Sequence, residues 1–217
     1  MRLYHLISAE YGLMALRKRR LRASRLTALN DPFELIGVDV SDPDFRRAMY
    51  RFRDALSITK GIHCFSRRWS NPVLWSHYAD RHRGICLGFD VDDELTSSVA
   101  YVPKRLNPAG VLKGTDKQRQ AFMLRILSTK FSHWRYEDEV RIFVDLRDPD
   151  LDTGFYFTDF SPRLALREVI VGSECDLTRA ELFEAVAKYS PSVRIFKTRP
   201  AFKMFKVVRN RDESLWR

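Results

Sequence analysis

Residues 84 to 91 read GICLGFDV, a run of apolar and β-prone residues opened by glycine, with an acid only at its penultimate position. Such a run lacks the polar alternation of a half-exposed strand and suits one buried on both faces. GIHCFS, residues 61 to 66, has the same character. Both predict central strands of a sheet. Between them NPVLWSHYAD reads as a helix with Pro72 at its first position, where the missing N–H costs nothing.

Working outward, residues 2 to 7 (RLYHLI) form a short strand candidate, and Ser8 stands where it would N-cap a helix from Ala9 to Lys18. RLRASRL then returns to extended structure, and NDPFE, Asn30 to Glu34, is a turn signal. A short amphipathic helix is expected from Pro43 to Leu56. A longer one is expected from Thr115 to Lys130, with Ala121, Leu124 and Leu127 on one face. The C-terminal third supplies a strand from Glu168 to Gly172 and a helix opened by the capping box Thr178-x-x-Glu181, with Leu182, Val186 and Tyr189 inward. Two further strands, VRIFKT and FKMFKVV, complete an α+β layout over residues 1–217 as one domain.

Composition bounds the function classes. With 217 residues and 45% hydrophobic content, the chain supports one good core. No stretch approaches the roughly 18 consecutive apolar residues of a membrane span, and the opening lacks the plan of a secretory signal, so a cytoplasmic protein without membrane contact is expected. Cys64, Cys86 and Cys175 are scattered, and two of them sit in apolar runs as core thiols. His63, His77, His82 and His133 form no metal signature, so no metal is expected. Phosphate-binding glycine motifs and GxSxG are absent, and His63 and Cys64 alternate to opposite strand faces, which argues against a Cys-His nucleophile.

The formal charge is +10, concentrated in RKRRLRASR, residues 17 to 25. Arg17, Lys18, Arg19, Arg20, Arg22 and Arg25 are therefore candidate contacts to phosphates of RNA, DNA or a dinucleotide, or else a solvated helix face. Against that background the acids of HWRYEDEVRIFV, residues 133 to 144, stand out. Strand alternation puts Glu137 and Glu139 on one face about 7 Å apart, with Asp138 turned away. Such a pair suits glycosidic chemistry, in which a carboxylate stabilises positive charge on a sugar ring. It equally suits a structural pair of Glu139 with Arg141. Trp75, His77, Tyr78 and His82 form either an aromatic shelf for a base or the buried side of a helix.

Taken in order, LYHLIS, RLRASRLTALNDPFE, HCFS, VLWSHYADRHRGICLGFD, WRYEDEVRIF and EVIVG resemble, over essentially the whole chain, a large bacterial family filed as a domain of unknown function, number 2971 in that series. A more distant resemblance is to ADP-ribosyltransferases of the His-Tyr-Glu kind. These place a His on the first core strand, a Tyr after a later strand, and a Glu on a subsequent one. Here His5, the segment GIHCFSRRWSNPVLWSHY ending at Tyr78, and Glu139 occupy those positions, and Glu137-x-Glu139 is similar to the ExE element of the arginine-directed branch. There is no Ser-Thr-Ser strand motif, although Ser66 stands near where a strand serine belongs.

This resemblance implies a mixed, mostly antiparallel split sheet with flanking helices, and NAD as co-substrate with no metal. It implies His5, Tyr78 and Glu139 as catalytic residues, with Asn30, Ser66, His77 and Glu137 as further NAD contacts. The target would be nucleic acid or a nucleic-acid-bound protein, in a toxin or anti-phage effector that an antitoxin or other partner protein restrains. Two rival readings stand beside it. One is a metal-dependent nuclease using Asp90 with Glu137 or Glu139. The other is a non-catalytic nucleic-acid-binding module in which Trp75 or Tyr78 stacks on bases.

Overall fold

The computed structural model describes residues 1–112, 114–189, 193–212, 214 and 216. In chain order its elements are β1 (Arg2–Ile7), α1 (Ala9–Lys18), β2 (Arg20–Arg25), α2 (Pro43–Thr59), β3 (Lys60–Ser66), α3 (Pro72–Tyr78) and β4 (Ile85–Val91). Then come β5 (Ser97–Ser98), β6 (Ala100–Val102), α4 (Ala109–Leu112), α5 (Asp116–Leu127), β7 (Thr129–Phe131) and β8 (Glu139–Asp145). The chain closes with β9 (Tyr156–Asp159), β10 (Leu164–Val171), α6 (Arg179–Val186), β11 (Arg194–Pro200) and β12 (Val207–Arg209). Among the described residues, no helix is long and apolar enough to cross a membrane.

The fold is α+β, as the sequence predicts. Its main sheet runs β12-β11-β10-β4-β1-β3-β2-β9, with β8 added to β3 and β5 to β8. Within it the β10–β11 pair is parallel and the other paired strands are antiparallel. GICLGFDV forms β4 at the centre, between β1 and β10. Its Ile85, Leu87 and Phe89 pack with Leu3, Leu16 and Val169 on one face, and Cys86 packs with Trp75 and Ile170 on the other. Burying each such side chain contributes roughly 1.5–3 kcal/mol, which is why a two-faced apolar run belongs here. Gly84 opens the run because a Cβ there would sit 2.1 Å from the Ile7 carbonyl oxygen.

The feature that positions the site is an incomplete edge of β3. Along one edge β8 pairs with β3 from Lys60↔Asp145 to Ser66↔Glu139. Along the other, β1 touches it at Tyr4↔Ser66 and β2 at Ser24↔Ile62 and Arg25↔Gly61. Strands β1 and β2 thus diverge around residues 63 to 65. The sheet is split there, and His5 Nδ1 meets the Cys64 carbonyl across the gap at 2.9 Å.

Three local expectations are corrected. Helix α5 ends at Leu127, and Thr129–Phe131 leave it to pair in parallel with β6, so Lys130 lies on a strand. Its inward stripe is Phe122, Met123 and Ile126 against Val38 and Met49, while Leu124 is 60% exposed. FKMFKVV pairs with β11 from Val207 onward, and residues 201 to 206 close a turn through the Ala201 N–H to Lys206 O bond of 2.8 Å. Ser8 occupies the N-cap of α1 without a side-chain capping bond.

Candidate active site

A cavity of about 250 Å³ opens in the gap between β1 and β2. Its floor is a buried ion cluster. Lys130 Nζ lies 2.6 Å from Glu137, 3.0 Å from Glu34 and 3.2 Å from Glu139. Arg141, fully buried, gives Nε to Glu139 at 2.9 Å, Nη2 to Glu34 at 2.8 Å and Nη1 to the Leu127 carbonyl at 2.8 Å. Three carboxylates therefore share two cations.

The carboxylates are not equivalent. Burial alone would raise Glu139, but Arg141 and Lys130 outweigh it and hold the carboxyl down to about 2. Glu139 is committed to the ion cluster, as its pairing with Arg141 in the sequence allowed. Glu137 has no arginine. Burial pushes its pKa above the usual carboxylate value, with Lys130 opposing. Glu137 is therefore the carboxylate that Arg141 does not hold, paired with Lys130 alone among the cluster's cations.

Local backbone explains how both acids reach one lysine. Glu137 ends a short 3-10 turn, Ser132–Glu137, rather than lying in the strand. Asp138 takes the left-handed conformation at φ 47 and points to Arg67 and Arg68, at 3.3 and 3.1 Å. Strand β8 begins at Glu139. The acids converge through this turn, which corrects the expectation of simple strand alternation.

Helix α3 delivers the next group. Asn71 caps it by accepting the Val73 N–H, and Leu74 and Trp75 anchor its inner face. That leaves Tyr78, the last residue, at the cavity, where its hydroxyl donates to Glu137 Oε1 and receives the Asn30 Nδ2 donor at 3.2 Å. Burial first, then Glu137, push the Tyr78 phenol well above its ordinary value, so it remains a donor.

His5 and Ser66 lie in the same cavity wall. Because a carbonyl only accepts, the bond to Cys64 O assigns the proton of His5 to Nδ1 and leaves Nε2 as an acceptor. Burial lowers the His5 pKa and keeps the ring neutral. Ser66 Oγ accepts the Arg68 N–H at 3.0 Å.

Residues 74–142, from the inner face of α3 through the acidic turn into β8, match the model of one family. Its description is Protein of unknown function (DUF2971). The matched span takes in VLWSHYADRHRGICLGFD from Leu74 onward and WRYEDEVRI, hence Tyr78, Lys130, Glu137, Glu139 and Arg141. It leaves out His5, Asn30 and Glu34. No curated protein and no solved structure matches the chain. The DUF2971 description carries no activity, and these comparisons give no support to a likeness to ADP-ribosyltransferases.

Other candidates fall elsewhere. His77 is exposed one position before Tyr78, beside Trp134 and Tyr136, and does not line the cavity. His82 stacks on buried Trp75, so that part of the aromatic segment is core packing. Asp90 is held by Arg2 at 2.7 Å and Arg167 at 2.9 Å and does not line the cavity with the glutamates. Among the described residues, no group of three or more His, Cys, Asp and Glu is arranged to hold a metal ion.

The basic run is dispersed. Arg17 and Lys18 end α1, Arg19 lies over Tyr189, Arg20 pairs with Asp150 at 2.6 Å, and Arg25 lies over Tyr156. Of the basic residues in the run, Arg22 alone lines the cavity, with its guanidinium 3.5 Å from the centre of the Phe155 ring. Sequence reasoning missed Glu34 and Lys130. The available signal was a Lys and a Glu each set beside apolar residues, in FEL and TKF.

Proposed function

We propose that this protein breaks the N-glycosidic bond of NAD and transfers ADP-ribose, with Glu137 as the carboxylate at the reacting sugar. The observation that carries this reading is the placement of Glu137. It is fixed in the cavity by Tyr78 and Lys130 and, unlike Glu34 and Glu139, is not held by Arg141. As the C1′–N bond breaks, nicotinamide leaves with the bonding electrons and positive charge develops on the ribose. A preoriented carboxylate in a water-poor wall stabilises that charge far better than water would.

The other residues take roles that follow from their chemistry. His5 Nε2 accepts a hydrogen bond from a hydroxyl of the same ribose, Tyr78 lies against the nicotinamide while orienting Glu137, and Asn30 and Ser66 supply further polar contacts. A cavity of about 250 Å³ admits one end of a dinucleotide, and Arg22 at its wall suits the diphosphate. The final nucleophile is water or an acceptor on nucleic acid or a nucleic-acid-bound protein. The test is nicotinamide release from NAD by the wild type, Glu137→Gln and Glu139→Gln, with and without a chelator. Loss in Glu137→Gln, with chelator indifference, is expected. Full turnover by that variant would refute the assignment.

A further inference from the structure

A second, open depression of about 930 Å³ flanks the turn that carries Glu137. Its lining alternates cations and aromatics: Arg68 follows β3, Tyr101 lies on β6, Arg135 and Tyr136 lead into Glu137, and Phe205 and Lys206 project from the β11–β12 turn. Its acid, Asp138, is already paired with Arg67 and Arg68. Among the described residues, Arg135 and Lys206 make no ion pair. The β11–β12 turn is unusual for a soluble surface. Phe205 is fully exposed, so its ring is not explained by packing within the chain, whereas the Phe202 ring, 88% exposed, lies under the Arg199 guanidinium at 4.0 Å.

Cations that meet phosphates, interleaved with aromatic faces that receive unstacked bases, are the two components of a single-strand-binding surface. Duplex would present the phosphates but hide the base faces. The groove also joins the cavity through one turn. Tyr136 and Asp138 flank Glu137 in sequence, and Asn71 Nδ2, at the cap of α3, donates to the Tyr136 carbonyl at 3.1 Å. We propose that this groove binds single-stranded nucleic acid and presents it as the acceptor strand. The acceptor role rests on the ADP-ribosyl transfer proposed above, whereas the binding does not.

The test is fluorescence anisotropy of labelled oligo-dT and oligo-rU with the full chain, over a salt series, beside NAD turnover by the same preparation. The variants are Arg135→Ala with Lys206→Ala, Phe205→Ala, and Arg17→Ala with Lys18→Ala, each checked for an unchanged thermal midpoint. The double groove variant is expected to weaken binding at least tenfold. It should also flatten the salt slope by about 1.4, since each single-strand phosphate contact contributes about 0.7. Phe205→Ala is expected to weaken it about tenfold with little change of slope. The Arg17 and Lys18 pair should leave it intact, and the tighter of the two oligonucleotides names the polymer. Binding that survives the groove variants and falls with the Arg17 and Lys18 pair would overturn the proposal, as would preference for duplex or no binding at low salt. Binding as expected without NAD turnover would instead remove the transferase reading and leave the groove.

Discussion

The hydroxyl of Tyr78, at the end of α3, donates to the carboxylate of Glu137, at the end of the acidic turn. One bond thereby joins two chain segments far apart in sequence and fixes the cavity carboxylate that Arg141 does not hold. Removing its donor separates orientation from charge. Tyr78→Phe is expected to lower kcat for nicotinamide release about tenfold or more while leaving the ionised Glu137 present, and Glu137→Gln about 10²–10³-fold. Steady-state kinetics decide the matter, and equal effects of the two substitutions on KM alone would contradict the stated roles.

A pH profile reports on Glu137 independently. Its folded pKa is raised by burial, and the proposed role needs the ionised form. Activity should therefore rise with pH along an acidic limb whose midpoint lies above the ordinary Glu value of about 4.3. The limb should persist in Glu139→Gln at temperatures where that variant stays folded. An acidic limb at or below the ordinary value would mean that Glu137 is not the group that titrates.

The buried cluster makes a stability prediction. Arg141 is fully buried and satisfies Glu34 and Glu139 together. Breaking a buried pair by removing one partner leaves the other charge unpaired and costs about 3–5 kcal/mol. Arg141→Met is therefore expected to destabilise by about that amount in urea unfolding, with the midpoint shifted and the slope kept. Arg147→Met, which removes an exposed partner of Asp145, should change stability by less than about 1 kcal/mol.

What could be read in advance depended on how local the signal was. GICLGFDV announces a central strand because its composition alone demands burial on two faces, and Asn71–Pro72 and Thr178–Glu181 announce helix starts through capping contacts within three residues. His5, Asn30, Ser66, Tyr78, Glu137 and Glu139 all line one cavity, whereas His77, turned about 100° from Tyr78 on the same helix, does not. Lys130 was illegible because its strand exists through pairing with β6, a long-range contact that overrides the helical run before it. Glu34 was illegible because its partner, Arg141, lies 107 residues away. FKMFKVV misled because apolar density does not distinguish a buried strand from an exposed turn.

Acid stability follows from the neutral histidines and from Glu139. His63 is buried with its Nε2 2.8 Å from Thr158 Oγ1. Burial, then neighbouring His5, lower its pKa to about 3. A group whose folded pKa is depressed contributes stability above its unfolded pKa, so this contribution is present above about 6.5 and lost as pH falls toward 3. His5 acts in the same direction. Glu139, held near 2, adds a second loss that begins below about 4.3. Glu137 has the opposite sign, since its raised pKa favours the folded state at low pH and that contribution disappears as pH rises through the folded value. The thermal midpoint is therefore expected to fall in two stages on acidification. His63→Gln should flatten the upper stage, between about 6.5 and 4.5, and leave the lower one in place. Calorimetry across that range checks it, and an upper stage of unchanged steepness in the variant would show that His63 already carries its proton in the fold.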